Sequence, residues 1–175
     1  GTGTAQTTTG TTAGNYTVVV TDAQGCESAP ATGILIVNAL PAATVNSETI
    51  CAGDPAATFT ATSATAVSWL WSANGTGTQV STTGTTAGNY TVVVTDAQGC
   101  ESAPATGILT VNALPAAAVN SETICDGDPA ATFTATSATA VSWLWSVNGT
   151  GTVQTTNGTT AGNYTVVVTD AQGCE

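Results

Sequence analysis

Apolar and polar residues alternate with a period of two along most of this chain. Ala57, Phe59 and Ala61 alternate with Thr58, Thr60 and Thr62, the pattern of a strand with one buried face. Residues 67–72 place Trp69 and Trp71 on one face and Leu70 on the other. In residues 88–96, Tyr90, Val92 and Val94 point inward while Thr91, Val93 and Thr95 point outward. A final strand over 106–112 turns Leu109 and Val111 inward. The expected core is therefore Phe59, Trp71, Tyr90, Val92, Val94, Leu109 and Val111. A short first strand is expected over 44–46, a loop over 47–55, and one or two Thr-rich strands within 75–86. Asn74-Gly75 predicts a hairpin, because both residues tolerate positive φ. No stretch has helical periodicity, so the predicted fold is all-β, a sandwich of six or seven short strands.

The pattern repeats. The string Gly-Asn-Tyr-Thr-Val-Val-Val-Thr-Asp-Ala-Gln-Gly-Cys occurs unchanged at 14–26, 88–100 and 162–174, and Tyr16, Tyr90 and Tyr164 are spaced by 74 residues. A constant period of this size marks a tandem array of small domains. The clearest boundary is Asn38-Ala39-Leu40-Pro41-Ala42-Ala43, repeated from Asn112 to Ala117, where proline suits a stiff linker or an edge strand. Residues 1–39 read as the C-terminal part of one repeat, 40–113 as a complete repeat, and 114–175 as a repeat lacking its last strand. Both ends fall inside a repeat, so the chain is expected to be a window on a longer array, with signals and anchors elsewhere. Copies differ at few positions, among them Thr44/Ala118, Ala52/Asp126, Ala73/Val147 and Ile36/Thr110. Each is expected in a linker, a loop or an outer face. Such near-identity suits a protein whose task depends on length.

Composition narrows the function classes. The chain has no Lys, Arg or His and eleven acidic residues, for a formal net charge of −11. Neutralising phosphate needs Lys or Arg, so nucleic acid and anionic membranes are excluded as partners. No side-chain salt bridge and no lysine isopeptide crosslink can form. Hydrophobic residues make up 42% of the chain, enough to argue against disorder despite the charge. No run of 18 apolar residues exists, so membrane insertion of this segment is not expected.

The five cysteines fall into two series with the same period, Cys26, Cys100 and Cys174, and Cys51 and Cys125. Two per complete repeat in a β-rich chain reads as disulfides in an oxidising place, and all five are expected to be crosslinked. Zinc is disfavoured by the lack of His and of any CxxC pair. Trp69, Trp71, Trp143 and Trp145 read first as core plugs of a sandwich, with one of each pair available as a sugar-stacking surface. Glu48, Asp54, Asp96 and Glu101 are acceptable calcium ligands, and Asp126-Gly127-Asp128 adds to them. Ala52 replaces the first of those acids in the other copy, so ordinary turn roles are expected, with no cofactor and no metal site. Without a usual general base or a cation for an oxyanion, no enzyme activity is expected. Asn74-Gly75-Thr76 and Asn89-Tyr90-Thr91 match glycosylation sequons, though turn and strand-entry roles explain them equally.

The thirteen-residue string, with Ile50-Cys51-Ala52-Gly53-Asp54 upstream and Ser68-Trp69-Leu70-Trp71-Ser72 between, resembles the PKD-like or Ig-like repeats of giant surface proteins. Such proteins are typical of gliding bacteria with type IX secretion, among them gliding-motility adhesins and prey-snaring surface fibres. The resemblance covers the whole chain and implies an extracellular or cell-surface location and a structural or adhesive role. The implied function is a spacer in the shaft of an adhesin or filament. The second reading is a glycan- or cell-binding module using an exposed Trp and the loops at one pole. Implied partners are neighbouring repeats of the same giant chain, copies bundled as a homo-oligomeric fibre, and a cell-surface or glycan target. An Ig-like topology sets the first interstrand loop and the last hairpin at opposite poles, which favours a Cys51–Cys174 link between neighbours. A Cys51–Cys100 link would instead let each unit fold alone, and on that ground it is the pairing expected here.

Overall fold

The computed structural model describes residues 5–175. In chain order the strands are β1 (Gly14–Val18), β2 (Ala31–Leu35), β3 (Thr44–Val45), β4 (Glu48–Cys51), β5 (Ala57–Thr62), β6 (Ala66–Ala73), β7 (Ser81–Gly84), β8 (Gly88–Asp96), β9 (Ala105–Asn112), β10 (Ala118–Val119), β11 (Ala131–Thr136), β12 (Ala140–Ser146), β13 (Thr155–Gly158) and β14 (Thr165–Asp170). No helix occurs among the described residues. Thr and Val dominate because β-branched side chains favour a pleated, half-buried surface.

Strands β3 to β9 form a two-layered sandwich. One sheet has the order β3-β5-β7 and the other β4-β9-β8-β6. Every pairing is antiparallel except β4 with β9, which run parallel from Glu48↔Leu109 to Cys51↔Asn112. Between the layers lie Ala57, Phe59, Ala61, Trp71, Tyr90, Val92, Val94 and Leu109. Val111 is half-buried against this cluster together with Trp69, Ile50 and Val45. Leu70, on the opposite face of β6, is exposed. The result is an all-β, Ig-like architecture.

The chain changes sheets at Asn46, between β3 and β4. The Asn46 amide donates to the Thr58 carbonyl (3.0 Å) and to the Glu48 carboxylate, while the Thr60 N–H donates to Asn46 Oδ1 (2.6 Å). One side chain thus pins the crossing to β5. Just beyond it, the loop expected over 47–55 proves to contain β4. Its sequence has weak alternation, and what makes it a strand is the parallel ladder that β9 offers. The third unit supplies the control, because Glu122–Cys125 has the same four residues and no β9 counterpart beside it. There the segment is irregular.

The hairpin expected at Asn74-Gly75 is also corrected. β6 pairs with β8, whereas β7 pairs with β5 in the other sheet, so this turn carries the chain across the sandwich. The residue with positive φ is Ala73 (61°), and in the third unit Val147 (48°) and Asn148 (63°). Because β7 finds its ladder on β5, the turn does not have to match the twist of two paired strands as a two-residue hairpin does.

The flanking units carry fewer of these strands. β1 and β2 form a two-stranded antiparallel pair on their own, in the register of β8 and β9. In the third unit β10-β11-β13 and β12-β14 reproduce most of the sandwich, and β14 pairs only with β12 among the described strands. Phe133 stacks on Tyr164 (3.8 Å between centroids) as Phe59 does on Tyr90 (4.0 Å). Phe59 and Tyr90 are buried, whereas Phe133 and Tyr164 are half-buried beside the open edge.

Candidate functional site

The chemically distinctive feature is a disulfide, Cys51–Cys174, whose Cα atoms are 5.6 Å apart across 123 residues of sequence. Cys51 ends β4 in the complete sandwich, and Cys174 lies in the turn after β14 in the next one. The link is therefore a staple between units. The expected Cys51–Cys100 closure does not form, because the β4 end and the β8–β9 turn of one sandwich lie at opposite poles. Cys26, Cys100 and Cys125 are free thiols. Cys26 and Cys125 are exposed, Cys100 is partly covered, and Cys174 is buried beneath its partner.

Both thiol-bearing loops are shaped before any crosslink is made. In the first kind, Asp170 Oδ1 accepts the N–H groups of Gln172 and Cys174 (both 2.9 Å), and the Asp170 N–H donates to the Cys174 carbonyl (3.0 Å). The unlinked copies have the same bonds, with Asp96 accepting from Cys100 (2.8 Å) and Asp22 from Cys26 (2.8 Å). In the second kind, the Cys51 N–H donates to Asp54 Oδ2 (2.8 Å) and the Asp54 N–H to the Cys51 carbonyl (3.1 Å). Unlinked Cys125 and Asp128 repeat this geometry (2.8 and 3.1 Å). Each thiol is thus carried on a rigid turn whose form is independent of oxidation, and little conformational freedom is lost when the bond closes. The conserved spacing within the chain, Asp followed four residues later by Cys and Cys followed three later by Asp, is the sequence signal for these turns. Asp54 and Asp96 thus hold the turn roles expected of them, each through the N–H of a cysteine.

The acids considered as calcium ligands are engaged differently. Asp54, Asp96 and Asp128 accept backbone N–H groups within their own turns, and Glu48 accepts from Asn46. Among the described residues no three His, Cys, Asp or Glu side chains converge on one point. The tryptophans are placed against the reading of an exposed sugar platform. Trp71 and Trp145 are buried, their indole N–H groups donating to the carbonyls of Gln79 (2.8 Å) and Val153 (2.9 Å). Trp69 and Trp143 are half-buried, with Nε1 turned inward and without a partner. The reason is the pleat: Trp69 and Trp71 share the inner face of β6, so neither ring stands in solvent.

No protein-family model matches the chain, and no curated protein matches it. Among solved structures, the fibronectin(III)-like modules of Clostridium thermocellum CbhA are similar, with 17% identity and a TM-score of 0.36 over 76% of this chain and 88% of that one.

Proposed function

We propose that this chain is a segment of the shaft of a large extracellular adhesin or cell-surface filament. Its sandwiches act as mechanical spacers, and a disulfide holds each one to the next. The observation that carries the reading is the Cys51–Cys174 bond, which joins two repeats where a bond within one repeat would have stabilised it alone. An array under tension gains from such a link a covalent bypass around its sandwiches. Net charge of −11 keeps neighbouring shafts apart at short range, within a Debye length of about 8 Å at physiological salt. Partners in this reading are the adjacent repeats of the same chain.

Single-molecule stretching between the chain ends, with and without reductant, tests the proposal. Extension that is short when oxidised and long when reduced supports the spacer. Identical traces in the two conditions would remove the mechanical role.

A further inference from the structure

We infer that Asn89 is a glycosylation site, carrying a sugar on its side-chain amide at the outer face of β8. The inference stands apart from the spacer reading. It rests on how the fold uses the two Asn-x-Thr sequons of the complete unit, at Asn74 and Asn89.

The Asn74 amide is taken. Its Nδ2 donates to the Ala87 carbonyl (3.4 Å) and lies against Gly88, where a Cβ would come within 2.8 Å of it. This side chain holds the turn after β6 to the start of β8, and a sugar on it would stand where the β8 backbone passes. Asn148 does the same in the third unit, donating to the Asn163 carbonyl (3.2 Å). The turn role expected of this sequon is the one it has.

The Asn89 amide is not taken. The strand-entry role expected of this residue belongs to its backbone, whose carbonyl accepts the Asn74 N–H (3.2 Å). Its side chain is exposed and makes no hydrogen bond within the described residues. Across the ladder it faces Ile108, 53% exposed, which offers an amide no partner. Asn is depleted in strands, and the other outward positions of β8 are Thr91, Val93 and Thr95, as a pleated surface prefers. The fold thus gains nothing from this amide, while the Thr91 hydroxyl two residues on completes the sequon. Asn15 and Asn163 open the same Asn-Tyr-Thr string and are exposed as well.

The reaction joins Asn89 Nδ2 to the anomeric carbon of a sugar activated as a diphosphate ester of a nucleotide or a polyprenol. The carbon–nitrogen bond forms as the bond from the anomeric carbon to the diphosphate oxygen breaks. The diphosphate leaves with the electron pair, one amide proton passes to a base of the transferase, and nothing is oxidised or reduced. β8 is paired with β6 on one side and β9 on the other, which locks the sequon in an extended ladder, so transfer precedes pairing. The sandwich then closes around an unchanged core, with the sugar over Ile108. A sugar on Asn74 has no such room, so the folded chain carries none there.

The test is mass mapping of the folded chain isolated from the cells that make it. Cleavage after Asp and Glu releases residues 55–96, which hold both sequons, and electron-transfer fragmentation places the sugar on one of them. A sugar on Asn89 with Asn74 bare is expected. Single hexoses would point to a nucleotide donor and a preassembled oligosaccharide of uniform mass to a polyprenol donor, and either supports the site. In the same cells, Asn89→Gln and Thr91→Ala should lose the sugar, while Thr91→Ser and Asn74→Gln should keep it. Circular dichroism of each variant checks that the sandwich has formed. A bare Asn89, a sugar on Asn74 of the folded chain, or a sugar that persists in Thr91→Ala would overturn the inference.

Discussion

The phenol of Tyr90 occupies the space where a side chain at position 84 would be. A Cβ built on Gly84 meets the Tyr90 hydroxyl directly, and that hydroxyl donates to the Thr86 carbonyl (3.1 Å). The arrangement recurs with Gly10 and Tyr16, whose hydroxyl donates to Thr12 (2.9 Å), and with Gly158 and Tyr164, donating to Thr160 (3.0 Å). It locks the chain where it passes from β7 in one sheet to β8 in the other, in the manner of the tyrosine corner of β-sandwiches.

Two substitutions separate the parts of this lock. Tyr90→Phe keeps the ring stacked on Phe59 and removes one hydrogen bond, and should cost about 1 kcal/mol. Gly84→Ala forces the buried ring or the β7 backbone to move, and should cost about 1–3 kcal/mol. Urea denaturation with the disulfide intact measures both. No loss of stability from Gly84→Ala would contradict the close contact.

The turn after β12, the third unit's counterpart of the turn after β6, stores strain. Val147 has φ 48°, a conformation that costs an L-residue about 1–2 kcal/mol and suits a β-branched one least. Val147→Gly should raise stability by about 1 kcal/mol, the strain relieved outweighing the flexibility that glycine adds. Ala73→Gly, at φ 61°, should gain less. Thermal unfolding of the two variants gives the comparison, and a loss of stability in Val147→Gly would refute the assignment.

How far these features could be read in the sequence depends on how local their cause is. Tyr90, Val92 and Val94 declare their inner face by alternation alone, and the strand they form is where periodicity puts it. β4 could not be read so. Glu48–Cys51 becomes a strand only through β9, some sixty residues away, and the identical Glu122–Cys125 shows the same residues without that fate. The cysteine pairing was half legible. The two periodic cysteine series fit a bond within a repeat and one between repeats equally, the poles of an Ig-like topology pointed to Cys51–Cys174, and only the argument that each unit should fold alone pointed to Cys51–Cys100. Gly84 and Tyr90 were a missed signal, since their six-residue spacing recurs three times in plain view.

The Asp turns should govern how fast the staple forms. Asp170→Ala removes two accepted N–H bonds at a buried turn, and should cost about 1–3 kcal/mol. Because the turn also aims the Cys174 thiol, oxidation of the reduced chain by glutathione should slow several-fold. Asp22→Ala breaks the corresponding turn beside unlinked Cys26 and should leave the rate of Cys51–Cys174 formation unchanged. Quenched-flow alkylation and mass analysis give both rates. Equal slowing by the two variants would mean the effect is not local.

The staple also fixes how far the chain can be drawn out. A bond between Cys51 and Cys174 shields the intervening chain from a force applied at the ends, however completely the sandwiches unfold. Its sequence separation is 123 residues, and an extended residue spans at most about 3.6 Å, so reduction should release about 440 Å of additional length. A Cys51–Cys100 bond would hide well under half as much, about 180 Å. Cys51→Ser should give the long extension without reductant, while Cys100→Ser should leave the oxidised trace unchanged. The released length therefore identifies the pairing as well as its mechanical effect, and a value near 180 Å would reassign the bond to a single repeat.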